Sequence, residues 1–240
     1  MKTATTIVLL VLSLALGTAA PAAELTLASA AGYRKPMTKL ADAFEKTHKV
    51  TINRIFGNMA QVTAQAKMSG KVDLVFGDRK FLSRSGIDFL DMKEIAQGKL
   101  VIAYARTVSG GTAADPFPAS IARICMPDPK RAIYGKVARE YLGKTELEKK
   151  VKDRLTVVAT IPQTASYLIT GEAEAGFLNL THALNVQKKI GTFFQVDPTL
   201  YSPIRLVLGL LTPANDARVN AFLAFLKTPK AKRVLKEYGL

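Results

Sequence analysis

The side chains able to carry chemistry are few and scattered. The chain has 240 residues but only two histidines and one cysteine. His48 lies in the charged stretch Glu45-Lys46-Thr47-His48-Lys49 and reads as a solvated helix end. His182 follows Asn179-Leu180-Thr181; a helix-start surface position is one reading and a cleft-lining position the other. Cys125, between Ile124 and Met126, reads as a small buried hydrophobe. Together with Met37, Met59, Met126 and His182 it offers soft ligands suited to Cu(I), but their spacing supports no particular constellation. A lone cysteine makes neither an internal disulfide nor a cysteine-rich zinc site. There is no G-x-S-x-G, H-E-x-x-H or G-x-G-x-x-G pattern. Gly143-Lys144-Thr145 resembles the end of a P-loop, but Ala138 stands where that motif needs its first glycine. Glu172 and Glu174 sit in a polar turn and read as solubilising charges. No enzyme is expected.

Charge points to a partner instead. Lys and Arg number 34 against 19 Asp and Glu, a formal net charge of +15. Such an excess attracts anions at long range and says nothing of fold. With 48% hydrophobic and 22% charged residues, the chain is neither disordered nor collagen-like. No basic stripe interleaved with aromatics is present, so nucleic acid is not the expected anion.

The start of the chain reads as an address. Met1-Lys2-Thr3 gives a positive start, the apolar run from Ile7 to Leu16 follows, and Ala20-Pro21-Ala22 fits an Ala-x-Ala cleavage site. That apolar core, about ten residues, is half of the roughly 20 a membrane span requires. Residues 1–22 are therefore expected to be a cleavable signal peptide, and the remainder an exported, periplasmic, soluble protein.

The elements that must position any site alternate between strand and helix. Leu25 to Ala28, Val50 to Ile55 and Val72 to Phe76 are strand-like runs. Between them Met37, Leu40, Ala41 and Phe44 share one helix face, and a second helix runs through Val62 and Ala66. Lys99 to Tyr104 is a further strand, and the breaker-rich loop Ser109 to Pro118 marks a boundary. A second set follows: strand Ile121 to Met126, helix Ile133 to Leu142, strand Leu155 to Val158, a short helix at Tyr167-Leu168, and strand Ala175 to Asn179. Ile204 to Leu211 is a last buried strand before two amphipathic C-terminal helices. The pattern predicts an α/β protein with mostly parallel sheets flanked by helices, and shows no internal repeat.

Several segments then carry a resemblance, in order and over almost the whole chain from Glu24 to Leu240. They are the loop Ser29 to Gly32, the stretch Phe56-Gly57-Asn58-Met59 through Val72 to Asp78, Asp128-Pro129, Ala132 to Lys136, Gly171 to Gly176, and the ending Phe222 to Gly239. The chain resembles the periplasmic molybdate-binding proteins of ABC importers. The resemblance implies a two-lobed periplasmic binding protein fold with two crossing hinge strands, near Lys99 to Tyr104 and Pro203 to Leu210. Lobe I would comprise 23–103 plus 205–240, and lobe II 104–204. It implies a small oxyanion, molybdate or tungstate, held between the lobes, with a membrane permease of an ABC transporter as partner. The protein is expected to be a monomer with no cofactor, a metal entering only as the oxyanion.

Carried over by position, the family's first ligand serine falls at Gly32 and its second at Met59. Tyr33 and Asn58 stand beside them as replacement donors. The family's cleft tyrosine falls at Asn179, and the backbone donors of the second lobe fall near Arg131 or Ala132 and near Ile161. Because the serines are replaced, a same-fold binder or sensor for a metal complex or organic anion stands as the alternative.

Overall fold

The computed structural model describes residues 23–240. The expected signal peptide, 1–22, lies outside the described residues. The first lobe opens with β1 (Ala23–Ala30), a 3₁₀ turn (Ala31–Tyr33), α1 (Arg34–Glu45), β2 (Val50–Gly57), α2 (Met59–Ser69), β3 (Leu74–Asp78), α3 (Arg79–Leu82) and β4 (Asp91–Gly98). The chain then crosses to the second lobe: β5 (Leu100–Tyr104), β6 (Ile124–Pro127), α4 (Ile133–Lys144), α5 (Leu147–Val151), β7 (Leu155–Val158), α6 (Ile161–Thr170), β8 (Ala175–Asn179), α7 (Leu180–Val186) and β9 (Phe193–Gln195). It returns through β10 (Ile204–Leu210) and ends in α8 (Ala217–Leu226) and α9 (Pro229–Glu237).

Each lobe is built on one five-stranded sheet, in the orders β2-β1-β3-β10-β4 and β7-β6-β8-β5-β9. The first three strands of each run parallel, as right-handed strand–helix–strand crossovers require. β10 pairs antiparallel with both β3 and β4, and β5 antiparallel with both β8 and β9. Among the described strands, β10 and β5 are therefore the reversed ones. They follow immediately on the two crossings, so each sheet receives its reversed strand from chain arriving out of the other lobe. The sheets are mixed, with parallel order kept for the strands that feed helices.

Packing explains the elements. β3, β5, β6 and β8 are buried along their entire length, which matches strands covered by helices on both faces. Met37, Leu40, Ala41 and Phe44 turn the buried side of α1 inward. Phe44 meets Phe222 of α8 edge-to-face at 5.2 Å, and Lys39 reaches Glu237 of α9 at 2.6 Å. The C-terminal helices thus pack under the first lobe.

Candidate functional site

Five strand ends converge where the sheets face each other. Each delivers the chain into a helix start, where the first N–H groups lack partners inside the helix and carry the positive end of its dipole. A small pocket forms there, lined from the first lobe by Gly32, Tyr33, Asn58 and Met59, and from the second by Ile133, Tyr134, Thr160, Ile161 and Asn179. Its volume is about 20 Å³, room for little more than one water molecule. No ionised side chain lines it.

Six of the seven residues singled out from sequence meet here; the seventh, Arg131, does not line the pocket. The Arg131 guanidinium is mostly exposed and faces Asp128 at 3.6 Å. Its backbone carbonyl instead accepts from the Ala60 N–H across the lobes at 3.3 Å, and Ala132 takes the position at the pocket wall.

Asn58 is 4% exposed and caps α2: its Oδ1 accepts from the Gln61 N–H at 2.9 Å, while Gln61 Oε1 accepts from the Asn58 N–H at 3.0 Å. This capping box occupies the carbonyl and leaves the amide Nδ2 for another acceptor. Met59 places its backbone at the pocket as the first residue of α2, but its side chain lies over Gly77. A Cβ added there would stand 2.5 Å from the Met59 methyl carbon. The thioether is thus packing inside lobe I, and the pocket gains only the unpartnered Met59 N–H.

At Gly32 the first lobe's backbone lies close against the second lobe. A Cβ at Gly32 would lie 3.1 Å from Asn179 Nδ2 and 3.3 Å from the Ile161 side chain. A serine here would push against both, so this wall leaves no room for the hydroxyl that the resemblance implies. Asn179 caps α7 by accepting from the His182 N–H at 3.0 Å, and its Nδ2 donates to the Gly32 carbonyl across the lobes at 3.4 Å. Thr160 caps α6, with Gln163 closing a second capping box. α4 has no side-chain cap, so the N–H groups of its first turn remain for a ligand.

A buried tyrosine pair bridges the lobes. Tyr33 and Tyr134 hydroxyls meet at 2.5 Å, one from each lobe. Burial raises both phenols well above their ordinary range, so each keeps its proton. One proton makes the mutual bond, which leaves the other for an acceptor. Donors therefore outnumber acceptors: one phenol proton, the Asn58 amide and the helix N–H groups all need an acceptor. A ligand that only accepts, without charge of its own sign nearby, satisfies them. Sequence reasoning had not placed Tyr134, Thr160 or Ile133 in the site; the one available signal was a helix start after Asp128-Pro129 with no capping side chain.

The remaining candidates lie elsewhere. Cys125 is fully buried, and burial pushes its thiol up to about 11, so it is an inert core group. No cluster of three or more His, Cys, Asp or Glu suited to a metal ion occurs among the described residues. His182 is partly buried rather than a solvated surface group, and burial with nearby Lys35 lowers its pKa to about 4. Arg34 stacks over the Phe56 ring at 4.6 Å.

Known proteins share this fold. Residues 25–240 match the family model for bacterial extracellular solute-binding proteins. The molybdate-binding protein ModA of Azotobacter vinelandii is 31% identical over 237 residues, spanning 93% of this chain and 92% of the relative. The ModA of Rhodobacter capsulatus is 28% identical over 240 residues, spanning 95% and 93%. The solved structure of the Azotobacter vinelandii periplasmic molybdate-binding protein superposes with a TM-score of 0.80 at 23% identity, covering 90% of this chain and 97% of that one. With a family match across nearly all of its described residues, the chain belongs to the bacterial extracellular solute-binding proteins.

Proposed function

We propose that this protein is the periplasmic solute-binding component of an ABC importer, and that it holds a molybdate-like tetrahedral oxyanion between its lobes for delivery to a membrane permease. The observation that carries the reading is the surplus of neutral donors in a pocket without ionised side chains, fed by helix starts from both lobes. Helix N-termini bind such anions through oriented N–H groups, and full-length relatives are named for molybdate. Asn58, the Met59 and Ile161 N–H groups, Asn179 and the start of α4 are the proposed contacts. Gly32 and Tyr33 shape the wall, and Arg131 adds positive charge outside it. The protein binds rather than catalyses, acts as a monomer, and is exported through its cleaved leader.

The pocket volume of about 20 Å³ requires the lobes to part for entry. They are proposed to move as units that exchange at the crossings near 99–104 and 203–205, a hinge closure of the usual kind. Titration calorimetry with molybdate, tungstate and sulfate tests the reading. Saturation at a hundredfold excess over Kd should add about 2.7 kcal/mol of apparent stability. No heat and no thermal shift with any of the three would sink it.

A further inference from the structure

The tyrosine bridge does more than supply a donor. Tyr33 and Tyr134 are 1% and 3% exposed, and their hydroxyls meet at 2.5 Å between the turn after β1 and the start of α4. The ring of Tyr33 is held edge-on against Phe76 of β3 at 5.2 Å, so its hydroxyl cannot swing without disturbing the first lobe's core. The Tyr134 hydroxyl rests on Gly98, where an added Cβ would stand only 2.2 Å away. Gly98 ends β4 and pairs with Ile204 at the start of β10, so the hydroxyl abuts both crossings between lobes.

We propose that Tyr33 is a positioning residue: through its hydroxyl bridge to Tyr134 it fixes the closed spacing of the lobes, and with it the size of oxyanion the cleft prefers. The second clause rests on the oxyanion reading above; the first does not. Two oxygens at this distance cannot approach further, so the bridge is a stop. Separating them forfeits a hydrogen bond between two buried hydroxyls, so it is also a catch. A ligand that lets the bridge re-form is gripped, whereas one that holds it apart forfeits that contribution. The bridge lies beside crossing strands whose bending accompanies opening, which gives a single hydrogen bond leverage over the whole motion. Asn179 Nδ2 to the Gly32 carbonyl and Ala60 N–H to the Arg131 carbonyl, at 3.4 and 3.3 Å, are longer cross-lobe contacts and yield first.

The test needs no ligand in its first arm. Spin labels at Met68→Cys and Ile169→Cys, exposed positions on α2 and α6, report the distance between lobes. Cys125 is fully buried and stays unlabelled. Tyr33→Phe and Tyr134→Phe should each shift the closed-to-open ratio about three- to tenfold toward the longer distance. Superimposable distance distributions in parent and variants overturn the proposal. Should either phenylalanine variant fail to fold, Gly98→Ala keeps both hydroxyls but displaces that of Tyr134, and must produce the same lengthening. In the second arm, the ratio of molybdate to sulfate affinity should rise about three- to tenfold in Tyr33→Phe, because molybdate, the larger anion, no longer forfeits the bridge. An unchanged ratio removes the size-selecting role. If the parent binds neither anion, the oxyanion reading and the size-selecting clause both fail, while the distance arm still decides the bridge.

Discussion

In the first lobe β2 delivers Asn58 to the start of α2, Gln61 closes a capping box, and Gly70 ends the helix in the left-handed region at φ 60°. In the second, β7 delivers Thr160 to α6, Gln163 closes the same box, and Gly171 ends the helix at φ 79°. The likeness continues. Asp73 accepts from the Thr26 N–H and faces Arg218, while Glu174 accepts from the Arg123 N–H and faces Arg123's own guanidinium. Asp78 caps the next helix by accepting from the Phe81 N–H, and Asn179 by accepting from the His182 N–H. The shared positions are those that any strand-to-helix turn needs, whatever is bound. The lobes part company where the pocket is. Asn179 lines it and Asp78 does not. At equivalent strand ends, the amide, which can donate, faces the anion site, and the carboxylate, which would repel an anion, is turned away.

Gly135→Ala should break this correspondence most sharply. An added Cβ would lie 2.2 Å from the Pro127 carbonyl and 2.6 Å from Asp128, backbone atoms that cannot step aside. The expected loss is about 3 kcal/mol, read from the urea midpoint. In the first lobe the helix after the opening strand starts at Arg34, stacked on Phe56 and free of any such backbone clash, and Arg34→Ala should cost under about 1 kcal/mol. Equal losses would mean that the two lobes pack their first helices alike.

Acid should separate the lobes next. Burial holds His182 neutral by lowering its pKa from 6.5 to about 4. The unfolded chain then binds the extra proton first, so stability falls as pH drops from 6.5 toward 4. The contribution lost is about 2–3 kcal/mol. Phe81 occupies the matching place in the first lobe, so His182→Phe should flatten this part of the melting-temperature profile. An unflattened profile would assign the acid sensitivity elsewhere.

A smaller contrast comes from the caps. Asn58→Ala and Thr160→Ala should each cost about 1 kcal/mol, since each frees a helix-start N–H. Only Asn58→Ala should also weaken molybdate binding, by about tenfold, because only its amide keeps a donor for the ligand. Calorimetry on both variants reads the difference, and equal affinities would strike Asn58 from the site.

Much of this frame was legible in the sequence because buried strands and one-sided helices write strong periodicities. β4 was not: Asp91-Met92-Lys93-Glu94 carries no apolar run, since an edge strand keeps charges on its open side. β9 has only three residues and leaves no pattern to find. The internal likeness of the lobes was also hidden, because it resides in caps, glycines and two partly buried acids rather than in the core residues that dominate any alignment. At the site, Asn58, Asn179 and Gly32 were reached through family resemblance. Tyr134 was passed over because an aromatic on a helix's buried face looks like core, and only the fold reveals Tyr33 opposite it.

The smallest expected effect tests the acid–amide contrast itself. Asp78→Asn gives the first lobe the cap that the second already has, and asparagine and aspartate cap about equally well. Burial is the largest influence on the Asp78 carboxyl and raises its pKa from 3.8, outweighing the Phe81 and Arg205 N–H groups and the nearby Lys136 and Lys80. The folded protein therefore holds this proton more tightly than the unfolded chain. Stability falls as pH rises from 3.8 through the raised value, opposite in sign to the His182 contribution. Measured in a His182→Phe background, Asp78→Asn should remove that decline while changing neutral-pH stability by only about 0.5 kcal/mol. A profile parallel to its parent across this range would mean that the lysines and N–H groups offset the burial in full. A steeper decline in the variant would reverse the argument, making Asp78 a stabilising charge that the first lobe retains for its fold.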